Sequence, residues 1–222
     1  MIIPPPQSEA ELRERAAFIA GKRVAELAAL LHLPPPPVGV RGKGKVGGLV
    51  EKALGARAGS AAIPDFPSLG VELKTIPVDA AGHPRESTFV SSISLGDADR
   101  AEWFTSSVRA KLQHVLFVPI STEDDPRERS IGAPLFWRPT AEQEAILAQD
   151  FDEAMGLIAV GRVESLTARS GRWLQVRPKA ATGRVRAVSL GGEGEWIETV
   201  PRGFYLRASF TRAILADPFA VP

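Results

Sequence analysis

Apolar residues recur at helical spacing near the start of the chain. Leu12, Ala16 and Ile19 follow a Ser8 and Glu11 capping pattern, and Val24, Leu27 and Leu30 repeat the spacing after Gly21. Two short helices are predicted, closed by the stiff proline connector "PPPPVGV". "GLVEKAL" predicts a third helix carrying Glu51. In "PDFPSLGVELKTIP", Pro64 to Pro77, the alternation of Leu69, Val71 and Leu73 predicts a half-buried strand with Glu72 and Lys74 together on its other face. A turn at "DAAGHP" leads to a second strand in "STFVSSISL". A short helix in "VRAKLQH" runs into the apolar strand Val115 to Ile120.

Beyond the charged loop "STEDDPRERSIG", Thr140 with Gln143 forms another capping pattern. Leu147, Phe151, Ala154 and Ile158 lie on one face of the helix it opens. "RVESLTARSGRWLQVRPK" predicts a hairpin turning at Ser170 and Gly171, "SLGGEGEW" a further turn, and "RASFTRAILA" a closing helix. Helices mixed with strands, some paired as hairpins, give a mixed α/β class, an α+β mixed sheet.

Composition narrows this picture. With 222 residues, 44% hydrophobic and 24% charged, the chain can bury a full core, as one domain or as two lobes. The formal net charge of +1 leaves room for a locally basic groove. There is no cysteine, which excludes disulfide frameworks, thiolate zinc sites and cysteine nucleophiles and fits a reducing compartment. No apolar run reaches signal-peptide or membrane-spanning form, so the expected location is cytoplasmic. The three histidines show no metal-ligand spacing.

Chemistry concentrates in the opening strand. Asp65 and Glu72 offer two carboxylates to a hard divalent cation such as magnesium, and Lys74 stands beside them. Metal-activated water attacking a phosphodiester suits that set. Glu72 and Lys74 alone fit a solvated ion pair equally well. "RGKGKVGG" places Arg41, Lys43 and Lys45 among glycines. A nucleotide loop is excluded there, because Gly44-Lys45 is followed by Val46 rather than serine or threonine.

"PDFPSLGVELKTIPVD" resembles the active-site segment of the PD-(D/E)xK nucleases, and within them the MutH family of mismatch-repair endonucleases. "GLVEKALGARAGS" before it, "TSSVRAKLQHVLFVP" after it, and "QVRPKAA" and "VPRGFYLRASFT" near the C-terminus occur in family order. The resemblance implies a restriction-endonuclease-like fold of two lobes clamping DNA. It makes residues 1–222 a single endonuclease domain, with a catalytic lobe near 1–100 and a DNA-recognition lobe near 101–222. It implies a monomeric, magnesium-dependent enzyme, with manganese able to substitute, nicking the unmethylated strand of hemimethylated GATC. MutL is the implied direct partner and MutS an indirect one.

By position in the family, Asp65 and Glu72 match metal-binding carboxylates and Lys74 the catalytic lysine. Glu51 and Lys111 match further active-site residues. Lys43, Gly44, Phe89, Arg177, Pro178, Lys179 and Tyr205 match DNA-binding positions, with Tyr205 beside the adenine whose methylation is sensed. Without the resemblance, Glu51 and Lys111 read as helix-surface charges, Phe89 as core, and the Arg177-Lys179 pair as a charged strand end. Two alternatives stay open: a GATC-cutting restriction endonuclease with another methylation rule, and a non-catalytic DNA-binding module.

Overall fold

The computed structural model describes residues 3–39, 43–57, 62–179 and 186–222. The chain divides into two compact units, Met1–Glu86 with Gln113–Arg138, and Ser87–Leu112 with Pro139–Pro222. The chain therefore passes between units three times, where the sequence suggests one boundary near residue 100.

The first unit opens with α1 (Glu9–Ile19). Its start differs slightly from a capping box: Ser8 Oγ accepts from the Glu11 N–H, but Glu11 Oε2 reaches the N–H of Gln7. In α2 (Val24–Leu30), Val24, Leu27 and Ala28 are buried, and Leu31 beyond its end is too, whereas Leu30 faces solvent. The third helix, α3 (Lys43–Leu54), is longer than expected, because it takes in the glycine-rich segment. Each glycine disfavours a helix by about 1 kcal/mol. The burial of Val46, Leu49, Val50, Ala53 and Leu54 on one face outweighs that cost.

β1 (Glu72–Val78) runs parallel to β3 (Val115–Ser121), which pairs antiparallel with β4 (Leu135–Trp137). Pairing Leu73 with Leu116 and Thr75 with Val118 defines one face of this sheet. Leu73, Leu116, Val118 and Ile120 belong to the core shared with α1, α2 and α3. Glu72 and Lys74 stand on the opposite face, registered with Val115 and Phe117. Leu69 and Val71 do not extend the strand as their alternation suggests. They belong to a tight loop, in which the Phe66 N–H bonds the Val71 carbonyl at 2.9 Å and Gly70 has φ 63°.

In the second unit β8 (Arg202–Leu206) is the central strand between β2 (Thr88–Ser92) and β5 (Leu174–Pro178), antiparallel to both. β6 (Ala187–Leu190) and β7 (Trp196–Thr199) form a separate hairpin about the expected glycine turn. α4 is Ser107–Leu112 and α6 is Ala208–Ala216. The long α5 (Ala141–Ala159) carries the Thr140–Gln143 capping box and buries Leu147, Phe151, Ala154 and Ile158. The Phe151 ring stacks on Phe204 at 5.3 Å, tying the helix to the sheet.

The hairpin expected across Ser170-Gly171 does not form. Residues Val163–Ser165 make a 3-10 turn, and β5 pairs with β8 instead. The buried Asp150 carboxylate of α5 explains the difference. It accepts the N–H groups of Arg172, Trp173 and Leu174 at 2.6, 2.7 and 2.7 Å, turning the chain toward β8. No helix among the described residues is long and apolar enough to cross a membrane.

Candidate functional site

Two groups of side chains emerge, one in each unit. In the first unit, the loop after Asp65 folds back on itself, so Asp65 Oδ2 accepts the backbone N–H of Leu73 at 2.9 Å. Residues eight apart in sequence thus share one end of β1. Asp65 is buried at 7% exposure. Glu72, the first strand residue, donates its N–H to the His114 carbonyl at 2.9 Å, which anchors it at the start of β3.

Alternation puts Lys74 on the same side, and its Nζ lies 2.6 Å from Glu72 Oε1. The solvated surface pair is therefore not what forms, because Glu72 is only 1% exposed. Carboxylates are withdrawn from water only with charged or polar partners, and Lys74 supplies one. Among the described residues no group of three or more histidine, aspartate or glutamate side chains could hold a metal ion. Asp65 and Glu72 thus offer two carboxylates, the number that suits magnesium when water and phosphate oxygens complete its shell.

Glu51 lies on α3 and is exposed. It stands one turn beyond Gly47, where a Cβ would meet Thr75 Oγ1 of β1 at an ordinary contact distance of 3.4 Å. Gly44 falls in the first turn of α3 with open space around it. Lys43 begins that helix, but its side chain lies outside the described residues, as does Arg41. Lys111, in the last turn of α4 in the second unit, is buried at 7% exposure rather than a surface cation.

The second group lies on the β2-β8-β5 sheet. Arg202, Phe204 and Leu206 point to the buried face of β8, leaving Gly203 and Tyr205 on the other. Phe89 of β2 and Gln175 of β5 register with Tyr205, while Ser92 and Arg177 register with Gly203. The Phe89 and Tyr205 rings meet edge to face at 5.3 Å. Phe89 is half-buried there rather than a core residue.

The Lys179 Nζ lies 4.2 Å from the Phe89 ring centroid, and the Arg177 guanidinium 5.8 Å from that of Tyr205. Both cations also hold serine hydroxyls of the opposite edge, Arg177 to Ser87 at 2.5 Å and Lys179 to Ser92 at 2.7 Å. Burial pushes the Tyr205 phenol above its usual range, and the Arg177 charge opposes this. Arg177, Pro178 and Lys179 themselves are exposed.

The structure sets Lys74 beside Glu72 and Asp65 against the Leu73 N–H, and it gathers Phe89, Arg177, Lys179 and Tyr205 on one sheet face. Ser87, Ser92 and Gly203 join that face without having been singled out in the sequence. Serine hydroxyls carry no sequence signal of their own. A glycine in mid-strand, between Arg202 and Phe204, does carry one, because it marks a close approach.

Comparison with known proteins adds a second line of observation. The family described as "DNA mismatch repair enzyme MutH" matches residues 54–150. The chain is 50% identical over 212 residues to the DNA mismatch repair protein MutH of Haemophilus influenzae (strain PittEE), covering 95% of each. It is 49% identical over 220 residues to that of Serratia proteamaculans (strain 568), covering 98% of this chain and 96% of the relative. With the protein of the same name from Escherichia coli O9:H4 (strain HS) the identity is 45% over 222 residues, 99% of this chain and 97% of the relative.

Proposed function

The chain belongs to the MutH family, and on that premise we propose that it is the strand-nicking endonuclease of methyl-directed mismatch repair, cutting the unmethylated strand at hemimethylated GATC. The mixed α/β, restriction-endonuclease-like fold class goes with that assignment. The observation that carries the reading is the cluster at the start of β1: buried Asp65 and Glu72, with Lys74 Nζ 2.6 Å from the Glu72 carboxylate.

In this reading Asp65 and Glu72 would hold magnesium, for which manganese could substitute. When bound there, the metal would supply an activated water and polarise the phosphate. Lys74 orients the attacking water and offsets the charge that builds on the phosphoryl oxygens. Asp65 is fixed by the Leu73 N–H and Glu72 by its backbone bond to His114, so both ligands arrive preorganised. Glu51 and Lys111 are assigned to the same reaction by family position, Lys111 near the scissile phosphate.

DNA is held by backbone and base contacts with separate tasks. Lys43 and Gly44 are assigned to phosphate contact. Arg177, Pro178 and Lys179, at the exposed end of β5, are assigned to base edges, for which arginine and lysine are the common guanine readers. Tyr205, half-buried beside Phe89, is assigned to the adenine, where an added methyl group meets a side chain already packed. The enzyme acts as a cytoplasmic monomer, activated by direct contact with MutL and through it by MutS.

The deciding experiment is cleavage of unmethylated, hemimethylated and fully methylated GATC duplexes in magnesium, with and without MutL. Nicking of the unmethylated strand, raised by MutL and absent on the fully methylated duplex, is the expected result. Double-strand cutting indifferent to MutL would point to a restriction enzyme. Binding without any cleavage would point to a DNA-binding module.

A further inference from the structure

Gly203 occupies the middle of the central strand β8, a place where glycine weakens a sheet and usually marks a close approach. Its backbone does not demand glycine, since its φ lies outside the left-handed region. The neighbouring ring does. A Cβ at this position would lie 2.9 Å from Cε2 of Phe89 and 3.0 Å from the Ser91 carbonyl oxygen.

Phe89 registers with Tyr205, two residues further along β8 on the same face. Its ring therefore leans back along the strand into the space a side chain at position 203 would fill. That posture sets two other contacts. The ring meets Tyr205 edge to face at 5.3 Å and an interplanar angle of 66°. It lies 4.2 Å from Lys179 Nζ, which also bonds Ser92 Oγ. Ser92 and Arg177 are the registered neighbours of Gly203 on the two flanking strands. The missing side chain is thus the centre of the cluster.

We propose that Gly203 is a specificity-positioning residue: by lacking a Cβ it seats the Phe89 ring, which in turn fixes the Lys179 ammonium and the Tyr205 ring for base recognition. The inference rests on the reading of this sheet face as the surface that reads DNA. Aromatic and cationic groups held in one arrangement discriminate between bases better than the same groups left mobile, because less freedom is lost on binding.

The test is a cycle of full-length variants, wild type, Gly203→Ala, Phe89→Ala and the double variant, with Lys179→Ala as a reference. Each is assayed with a hemimethylated GATC duplex and with the same duplex altered at one base of the site. The readout is the ratio of the two kcat/KM values, together with thermal unfolding. Gly203→Ala is expected to lower the ratio about tenfold in the wild-type background, a differential of one base-contact scale. In the Phe89→Ala background it should change the ratio less than twofold, because the ring that the added methyl would displace is then absent.

An unchanged ratio in Gly203→Ala would overturn the proposal. So would an undiminished effect in the Phe89→Ala background, which would assign the glycine to the Ser91 carbonyl instead. If Gly203→Ala alone does not fold, a double variant as stable as Phe89→Ala supports the proposal and an unfolded one overturns it. Wild-type ratios in both Phe89→Ala and Lys179→Ala would overturn the DNA-reading assignment of the face, and this inference with it.

Discussion

Glu72 shows how much burial matters at the scale of one residue. A carboxylate at 1% exposure with an ammonium 2.6 Å away is expensive to assemble, since desolvation of both charges opposes their attraction. Glu72→Ala is expected to abolish nicking, a loss of at least about a thousandfold on the scale of a lost electrostatic element, while gel-shift affinity for the GATC duplex stays near wild type. Retained magnesium-dependent nicking would remove Glu72 from the metal site. Tyr205 is held differently, by its ring edge on Phe89 and by the Arg177 charge. Tyr205→Ser should weaken the preference for hemimethylated over fully methylated duplexes, read as the ratio of nicking rates. An unchanged ratio would count against its role at the adenine.

Elements are placed by contacts that no single element contains. The β5 strand carries Arg177, and its entry is fixed by one carboxylate on α5 taking three successive N–H groups. Asp150→Ala removes hydrogen bonds to a buried charged acceptor and should destabilise the protein by about 3 kcal/mol. Asp150→Asn, with one oxygen left to accept, should cost less. Denaturant unfolding measures both, and equal stability of all three proteins would refute this account of β5.

The start of β3 gives the element-scale pH dependence. His114 is 2% exposed, and its Nδ1 has no hydrogen-bond partner among the described residues. Its side chain faces Glu9 and Arg13 of α1, Phe136 of β4 and Arg138 just beyond it. Burial first, and the Arg138 charge second, push its pKa below the ordinary value of 6.5. The unfolded chain then binds a proton that the folded chain refuses, so stability falls as pH drops below about 6.5. Glu9 is held below its ordinary 4.5, first by the Arg13 hydrogen bond, and its contribution is lost only as pH falls further, through its folded value. His114→Gln should flatten the first part of that decline, between pH 7 and 5, in urea midpoints measured from pH 7 to 3, leaving the second. An unaltered slope would assign the decline to other groups.

The same elements show what was legible locally. The α5 helix follows its capping box and its apolar face as read, because both signals lie within one helical stretch. The strand at Leu69 was misread, since alternation over three residues cannot be told from a tight loop whose Phe66 and Val71 happen to be buried. The Ser170-Gly171 hairpin failed for a related reason. A turn signal shows that the chain reverses but not which strand it then meets, and β8 outcompeted the nearer segment.

For the whole molecule, a net charge of +1 gives little general attraction to a polyanion. Binding must then depend on local cations such as the exposed Lys179. Replacing it with alanine should weaken affinity for the cognate duplex more than for one altered at a single base, as its assignment to a base edge requires. Equal loss on both duplexes, with the slope of log affinity against log salt lowered by about 1, would assign it to phosphate instead. An unaltered slope and affinity would take Lys179 out of the interface.

By itself the sequence determined the mixed α/β class, the three helices whose apolar faces repeat most regularly, and the pairing of Glu72 with Lys74 across one residue of strand. These follow from periodicity, which short-range backbone geometry enforces. Only the tertiary structure decided that Glu72 is buried, that Asp65 returns to the Leu73 N–H, and that Arg177 meets Ser87 from 90 residues away. Such contacts depend on which distant segments pack and pair best, and a competition among distant segments leaves no periodic trace in any one of them.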